Sequence, residues 1–202
     1  MTPAEPIQVT LMVTDALDDL GVCYVIGGSL ASAVHGVARA TMDADLVADL
    51  QMDHVEPLAL GLGGGFYADA ERMRDAIRLH ASFNLIHLET MFKVDVFVAK
   101  PRAFDRAQLA RRERHVLDEE SDAHAYVVTA EDIVLSKLEW YLKSGCVSDR
   151  QWRDVLGVLK VQGDRLDFGY LRHMAASLGV TEVLVRARDE AAGDPPGQAQ
   201  DM

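Results

Sequence analysis

Apolar positions Ile7, Leu11, Ala16, Leu17 and Leu20 recur near the helical period and predict a helix from about Ala4 to Leu20, with Gly21 as its stop. Cys23 to Ile26 is a short apolar run bounded by Gly21 and Gly27-Gly28, which reads as a buried strand ending in a glycine turn. Ser29 is placed to cap the next helix, whose apolar face is Leu30, Ala33, Val34 and Val37 and which runs out near Gly36 to Arg39. In Met42 to Ala48 the pattern alternates. Asp43 and Asp45 share one face of that strand, and Ala44, Leu46 and Ala48 share the other.

Further along, Asp53 to Leu62 and Asp69 to His80 read as helices broken by Gly63-Gly64-Gly65, with Phe66-Tyr67 a short strand. Phe83 to Leu88 and Phe92 to Ala99 read as two strands joined through Glu89-Thr90-Met91, most simply a hairpin. In the second of these, Phe92, Val94, Val96 and Val98 line one face and Lys93, Asp95 and Phe97 the other. After a basic segment and a strand at Tyr126 to Val128, the period turns helical: 129–143, 148–161, 167–178 and 181–191. Strands therefore gather before Thr129 and helices after it. This predicts an α/β (α+β) core over 1–128, a helical module over 129–191 and a disordered tail over 192–202.

With 202 residues, 49% of them hydrophobic and 26% charged, the chain is long enough to bury a core without disulfide or metal staples. Two cysteines, Cys23 and Cys146, make neither a disulfide framework nor a zinc pattern. No apolar run reaches the ~18 residues of a membrane span, and MTPAEPIQVT has no signal-peptide pattern, so the expected compartment is the cytoplasm. The formal net charge of -12 disfavours broad coating of a polyanion. Within that acidic chain, Lys100, Arg102, Arg106, Arg111, Arg112 and Arg114 form one basic segment. It reads either as a local phosphate patch or as a solvated face.

Three features carry candidate chemistry: the Gly27-Gly28-Ser29 turn from strand to helix, the Asp43-Ala44-Asp45 pair, and Asp95 on a later strand. Each alone has a plain structural explanation. Together they place carboxylates near the amides of a helix N-terminus, a combination suited to Mg²⁺ and a polyphosphate. Zinc-hydrolase, serine-hydrolase and P-loop patterns are absent from the sequence, and His35 reads as a structural histidine.

Val25-Ile26-Gly27-Gly28-Ser29, followed after a helix by Arg39-Ala40-Thr41-Met42-Asp43-Ala44-Asp45-Leu46, resembles the signature of the nucleotidyltransferase (polymerase β-like) superfamily. The Arg-x-Thr lead-in, Lys137-Leu138-Glu139 and Arg153-Asp154-Val155 resemble more specifically the AbiEii-type toxins of type IV toxin-antitoxin and phage-defence systems. The resemblance implies a nucleotidyltransferase-fold mixed sheet followed by a helical module, and transfer of a nucleoside monophosphate from an NTP to RNA, such as tRNA, or to protein. It implies two Mg²⁺ ions on the catalytic acids Asp43, Asp45 and Asp95, with Asp95 also accepting the acceptor's proton, and Lys137 as a further catalytic residue that stabilises the departing pyrophosphate. It also implies nucleotide contacts from Gly27, Gly28, Ser29, Arg39, Thr41, Lys137 and Asp154, and a cognate antitoxin as partner.

The residues themselves leave Lys137 and Asp154 open. Lys137 lies about 60° from the Val134, Leu138, Tyr141 stripe, where its ammonium is expected to leave the core, and removing it is expected to cost little stability. Asp154 sits off the Trp152, Val155, Leu156, Leu159 stripe, and an i,i+4 pair with Arg150 is its plain explanation. Lys93 either neutralises charge beside Asp95 or makes a cross-strand ion pair. Two rival readings stand beside the enzyme: a catalytically silent nucleotide- or partner-binding regulatory module, and a glycosyltransferase metal site at Asp43-Ala44-Asp45. Three crowded acids disfavour the first, and the preceding Gly-Gly-Ser turn disfavours the second.

Overall fold

In the computed structural model, which describes residues 5–38, 41–118 and 121–193, the first helical period folds as α1 (Glu5–Asp19). Gly21, at φ 65°, turns the chain out of the helix, and Val22 N closes onto Leu17 O at 2.9 Å. There follow β1 (Tyr24–Ile26), α2 (Gly28–His35), β2 (Asp43–Ala48), α3 (Val55–Leu62), β3 (Phe66–Tyr67), α4 (Ala70–Leu79), β4 (Ser82–His87) and β5 (Lys93–Val98). Helix α2 starts one residue before the sequence-assigned cap Ser29, and residues 52–54 are a 3₁₀ turn ahead of α3 rather than part of it. The basic segment becomes α5 (Ala103–Ala110) and β6 (Glu113–Asp118), paired with β7 (Ala123–Val127).

Among the described residues seven strands form one mixed sheet, in the order β3-β4-β5-β2-β1-β7-β6. Strand β1 runs antiparallel to β2 and parallel to β7, while β2 runs parallel to β5 and β5 antiparallel to β4. On β2 and β5 burial alternates strictly. Ala44, Leu46, Ala48, Val94, Val96 and Val98 are buried, and the residues between them are half-buried. Helix α1 packs against β2, β7 and α3, and α4 packs on β4 and β5. Burying side chains such as Leu17, Leu46 and Leu85, each at 0% exposure, contributes about 1.5–3 kcal/mol apiece. The acids thus stand on strands held rigidly by an apolar layer beneath them.

The chain divides into two compact units, one of Met1–Leu30 and Ala40–Val128, the other of Ala31–Arg39 and Thr129–Met202. The second contains α6 (Ala130–Lys143), α7 (Asp149–Gln162), α8 (Phe168–Leu178) and α9 (Thr181–Gly193). Their starts are set by side-chain caps: Thr129 accepts from Asp132 N, Ser148 from Gln151 N and Asp167 from Tyr170 N. Gly36 lies against the α7 backbone, 3.0 Å from Val158 N for an added Cβ, and Gln162 Nε2 donates to His35 O at 2.6 Å. Those contacts group the end of α2 with the helices. His35 is buried, 6% exposed. Helix α9 extends to Gly193, past the sequence boundary at 191, and the rest of the expected tail, like Ala4, lies outside the described residues.

Candidate active site

Parallel register between β2 and β5 assembles the acids. Asp43 faces Lys93, Ala44 faces Val94, and Asp45 faces Asp95. Adjacent strands lie about 4.8 Å apart, so partnered side chains on one face are immediate neighbours. Asp43, Asp45, Lys93 and Asp95 occupy the half-buried face, opposite the fully buried one. Thr41 Oγ1 lies 2.9 Å from Asp43 O and 3.1 Å from Asp43 Oδ1, so its hydroxyl proton is shared between them and steadies that carboxylate.

The glycine turn meets the same acids from β1. Gly27 N donates to Asp45 O at 2.8 Å. Gly28 has φ 55°, a left-handed backbone that favours glycine. A Cβ at Gly28 would lie 1.8 Å from Asp45 Oδ2 and 2.8 Å from Asp45 Cβ, so the backbone approaches the carboxylate as only glycine permits. Ser29 follows at 5% exposure in the first turn of α2, where the helix dipole and the N-terminal amides favour an anion.

Asp95 is engaged at both oxygens. Lys93 Nζ donates to Oδ2 at 2.6 Å, and Asn84 of β4, its partner in the hairpin register, donates through Nδ2 to Oδ1. The Lys93 pair therefore runs along one strand and not across two. The hydrogen bond to Asp95, then the fields of Asp95, Asp43 and Asp45, hold the Lys93 ammonium above its ordinary 10.5. Asn84 escapes sequence reasoning because its role depends on hairpin register, which alternation alone does not specify.

In the helical unit, Lys137 and Asp154 meet each other. Lys137 Nζ donates to Asp154 Oδ2 at 2.8 Å and to Gln151 Oε1 at 3.1 Å, with the two charged side chains 5% and 9% exposed. The ammonium does not leave the core, because α7 packs on α6 and its Asp154 and Gln151 receive the charge inside. Asp154 also lines a pocket of about 430 Å³ with Ser32, Val37, Arg150, Arg153 and Gly157, all within this unit. Sequence reasoning did not foresee that pocket. Arg39 lies outside the described residues.

The basic segment is partly committed to its own unit. Arg102 pairs with the buried Asp105, and the Arg112 guanidinium stacks 4.3 Å from the Tyr126 ring centroid while donating to Cys23 Sγ. Arg106 and Arg112 line a second pocket, of about 470 Å³, between the end of α5, the start of β1 and β7.

No family model matches the chain, and no curated protein matches it either. Solved structures do. The antibiotic-resistance factor ANT(2'')-Ia in solution is 15% identical, over 94% of this chain and 97% of that one, with a TM-score of 0.54. The same factor in complex with adenylyl-2''-tobramycin is 14% identical, over 92% and 99%, with a TM-score of 0.55. An antigenic nucleotidyltransferase-like protein from Paracoccidioides brasiliensis is 15% identical, over 93% and 94%, with a TM-score of 0.51. The chain has the nucleotidyltransferase fold.

Proposed function

We propose that this chain is a Mg²⁺-dependent nucleotidyltransferase, acting in the cytoplasm, that moves a nucleoside monophosphate from an NTP to an acceptor hydroxyl. The observation carrying the reading is the in-register set Asp43, Asp45 and Asp95 on the half-buried face, abutted by the Gly27-Gly28-Ser29 turn. Those residues suit a hard divalent cation, because every donor is a carboxylate oxygen, and the lack of a Cβ at Gly28 lets the turn lie close against Asp45. Asp43 and Asp45 would hold two ions jointly, with Asp95 on the one beside the acceptor. Bound there, Mg²⁺ supplies charge stabilisation to the attacking and departing oxygens.

The protein's own groups then have separate tasks. The amide of Gly28 and the N-terminal turn at Ser29 receive the β- and γ-phosphates. Thr41 keeps Asp43 oriented. As the acceptor oxygen bonds to the α-phosphorus and the bond to the bridging oxygen breaks, pyrophosphate departs and Asp95 takes the acceptor's proton. No helix among the described residues is long and apolar enough to cross a membrane.

The acceptor has two readings. The resemblance of the Arg39 to Leu46 stretch, Lys137 and Asp154 to AbiEii-type toxins supports RNA such as tRNA, or protein, with a toxin role and a cognate antitoxin. The net charge of -12 and the engagement of Arg102 and Arg112 favour a cationic or neutral small-molecule hydroxyl, as does likeness to a factor bound to adenylyl-2''-tobramycin. Incubation with each α-labelled NTP, Mg²⁺ and, separately, total RNA, total protein and aminoglycosides tests both. Label on RNA or protein supports the first, and label on a small molecule the second. Label and pyrophosphate release that are equal for wild type and Asp45→Asn would defeat the site assignment.

A further inference from the structure

The carboxylate cluster carries a cation of its own. Lys93 sits two residues before Asp95 on β5, faces Asp43 in the register, and places its ammonium 2.6 Å from Asp95 Oδ2. Asn84 occupies Oδ1, so neither oxygen of Asp95 is left without a donor. A neutral amide and a metal can share a carboxylate, each oxygen having two lone pairs. An ammonium and a divalent cation on the same oxygen disfavour each other, since like charges at ~3–4 Å repel strongly in a half-buried site. The Lys93 side chain is 41% exposed against 16% for Asp95, so the lysine has room to swing out while the carboxylate stays.

We infer that Lys93 is a positioning residue that competes with the divalent cation for Asp95 Oδ2, so that metal binds tightly only when phosphates arrive to take the displaced ammonium. The inference rests on the nucleotidyltransferase reading of the site. In the metal-free protein Lys93 offsets the repulsion among Asp43, Asp45 and Asp95 and keeps Asp95 in place. On loading, its long stem lets the same ammonium follow the negative charge that enters with the metal. Metal and nucleotide thereby become coupled ligands, each raising the other's affinity by the same factor.

Mn²⁺ titrations read by the paramagnetic resonance of the free ion test this, with inorganic tripolyphosphate as the base-independent anion and its own chelation subtracted from a protein-free titration. Wild type is expected to bind Mn²⁺ weakly alone and about tenfold more tightly with tripolyphosphate. Lys93→Met should bind Mn²⁺ alone about tenfold more tightly than wild type and lose most of that coupling. Its metal-free form should melt earlier and recover with Mn²⁺. Lys93→Arg, which keeps the charge, should resemble wild type. Normal wild-type binding with an unchanged or weakened nucleotide-free affinity in Lys93→Met overturns the competition alone. No Mn²⁺ binding by wild type under either condition overturns the site reading together with it.

Discussion

Replacing Gly28 with alanine tests whether the turn and the acids form one unit. Two separate costs combine there. The backbone at φ 55° penalises any Cβ by ~1–2 kcal/mol. The clash is additional: rotation about the Asp45 side chain can move Oδ2, 1.8 Å from the new carbon, but not Asp45 Cβ at 2.8 Å, so strand or turn must shift. Overpacking of that kind costs ~1–3 kcal/mol. The sum, about 2–5 kcal/mol, corresponds to a fall of roughly 4–20 °C in Tm for a chain of this size. Two neighbours separate the terms. Gly21→Ala, at φ 65° with nothing within 4 Å, carries only the backbone cost, and Gly27→Ala, without a positive φ and with Asp45 O at 3.8 Å, carries neither. Thermal melts of the three variants and Mg²⁺-dependent NTP titrations provide the assay. Gly28→Ala should be the least stable and should lose Mg²⁺-dependent nucleotide binding, because the displaced turn no longer holds its amides beside the acids. If it melts like Gly21→Ala and binds Mg²⁺·NTP like wild type, the close approach has no functional meaning.

Lys137→Ala should destabilise by ~3–5 kcal/mol, since it breaks a buried ion pair by removing one partner, whereas Lys137→Met with Asp154→Leu should be near neutral; denaturant unfolding of both decides between a buried pair and a surface lysine. Asp69 caps α4 by accepting from Arg72 N at 3.1 Å and Glu71 N at 3.0 Å, and these bonds, that of Arg72 foremost, hold its carboxyl below the ordinary 3.8. A lowered folded value means the cap contributes above 3.8 and is lost as pH falls through the lower folded value. The Tm deficit of Asp69→Ala should therefore be full at neutral pH and vanish in acid, as pH-dependent melts will show. Arg112→Ala should weaken the β7 end of the sheet through its lost stacking on Tyr126, and RNA labelling unchanged in that variant would remove this face from acceptor binding.

The elements that sequence patterning located well carry their own local signals. Helices α6, α7 and α8 are preceded by Thr129, Ser148 and Asp167, each of whose side chains caps the first turn that follows. Strands β2 and β5 alternate so regularly that the faces of Asp43, Asp45 and Asp95 were legible before any pairing was known. What escaped depends on partners distant in the chain. Strand β6 is a charged edge strand, Glu113 to Asp118, paired on one side by β7, and its exposed positions leave no apolar period to detect. Asn84 reaches Asp95 only through the hairpin register. Lys137 sits at the margin of its own helix's stripe, but α7 packs beside it and brings Asp154 to its ammonium, and a single helix cannot reveal what packs beside it.

Calorimetric titration of an NTP into wild type and Asp45→Asn, with and without Mg²⁺, tests the three-acid site most directly. Without metal the carboxylates repel one another and the triphosphate, so wild type should bind the nucleotide well only with Mg²⁺, and Asp45→Asn should lose that Mg²⁺-dependent gain. Equal NTP binding by both proteins, with or without Mg²⁺, would contradict the account.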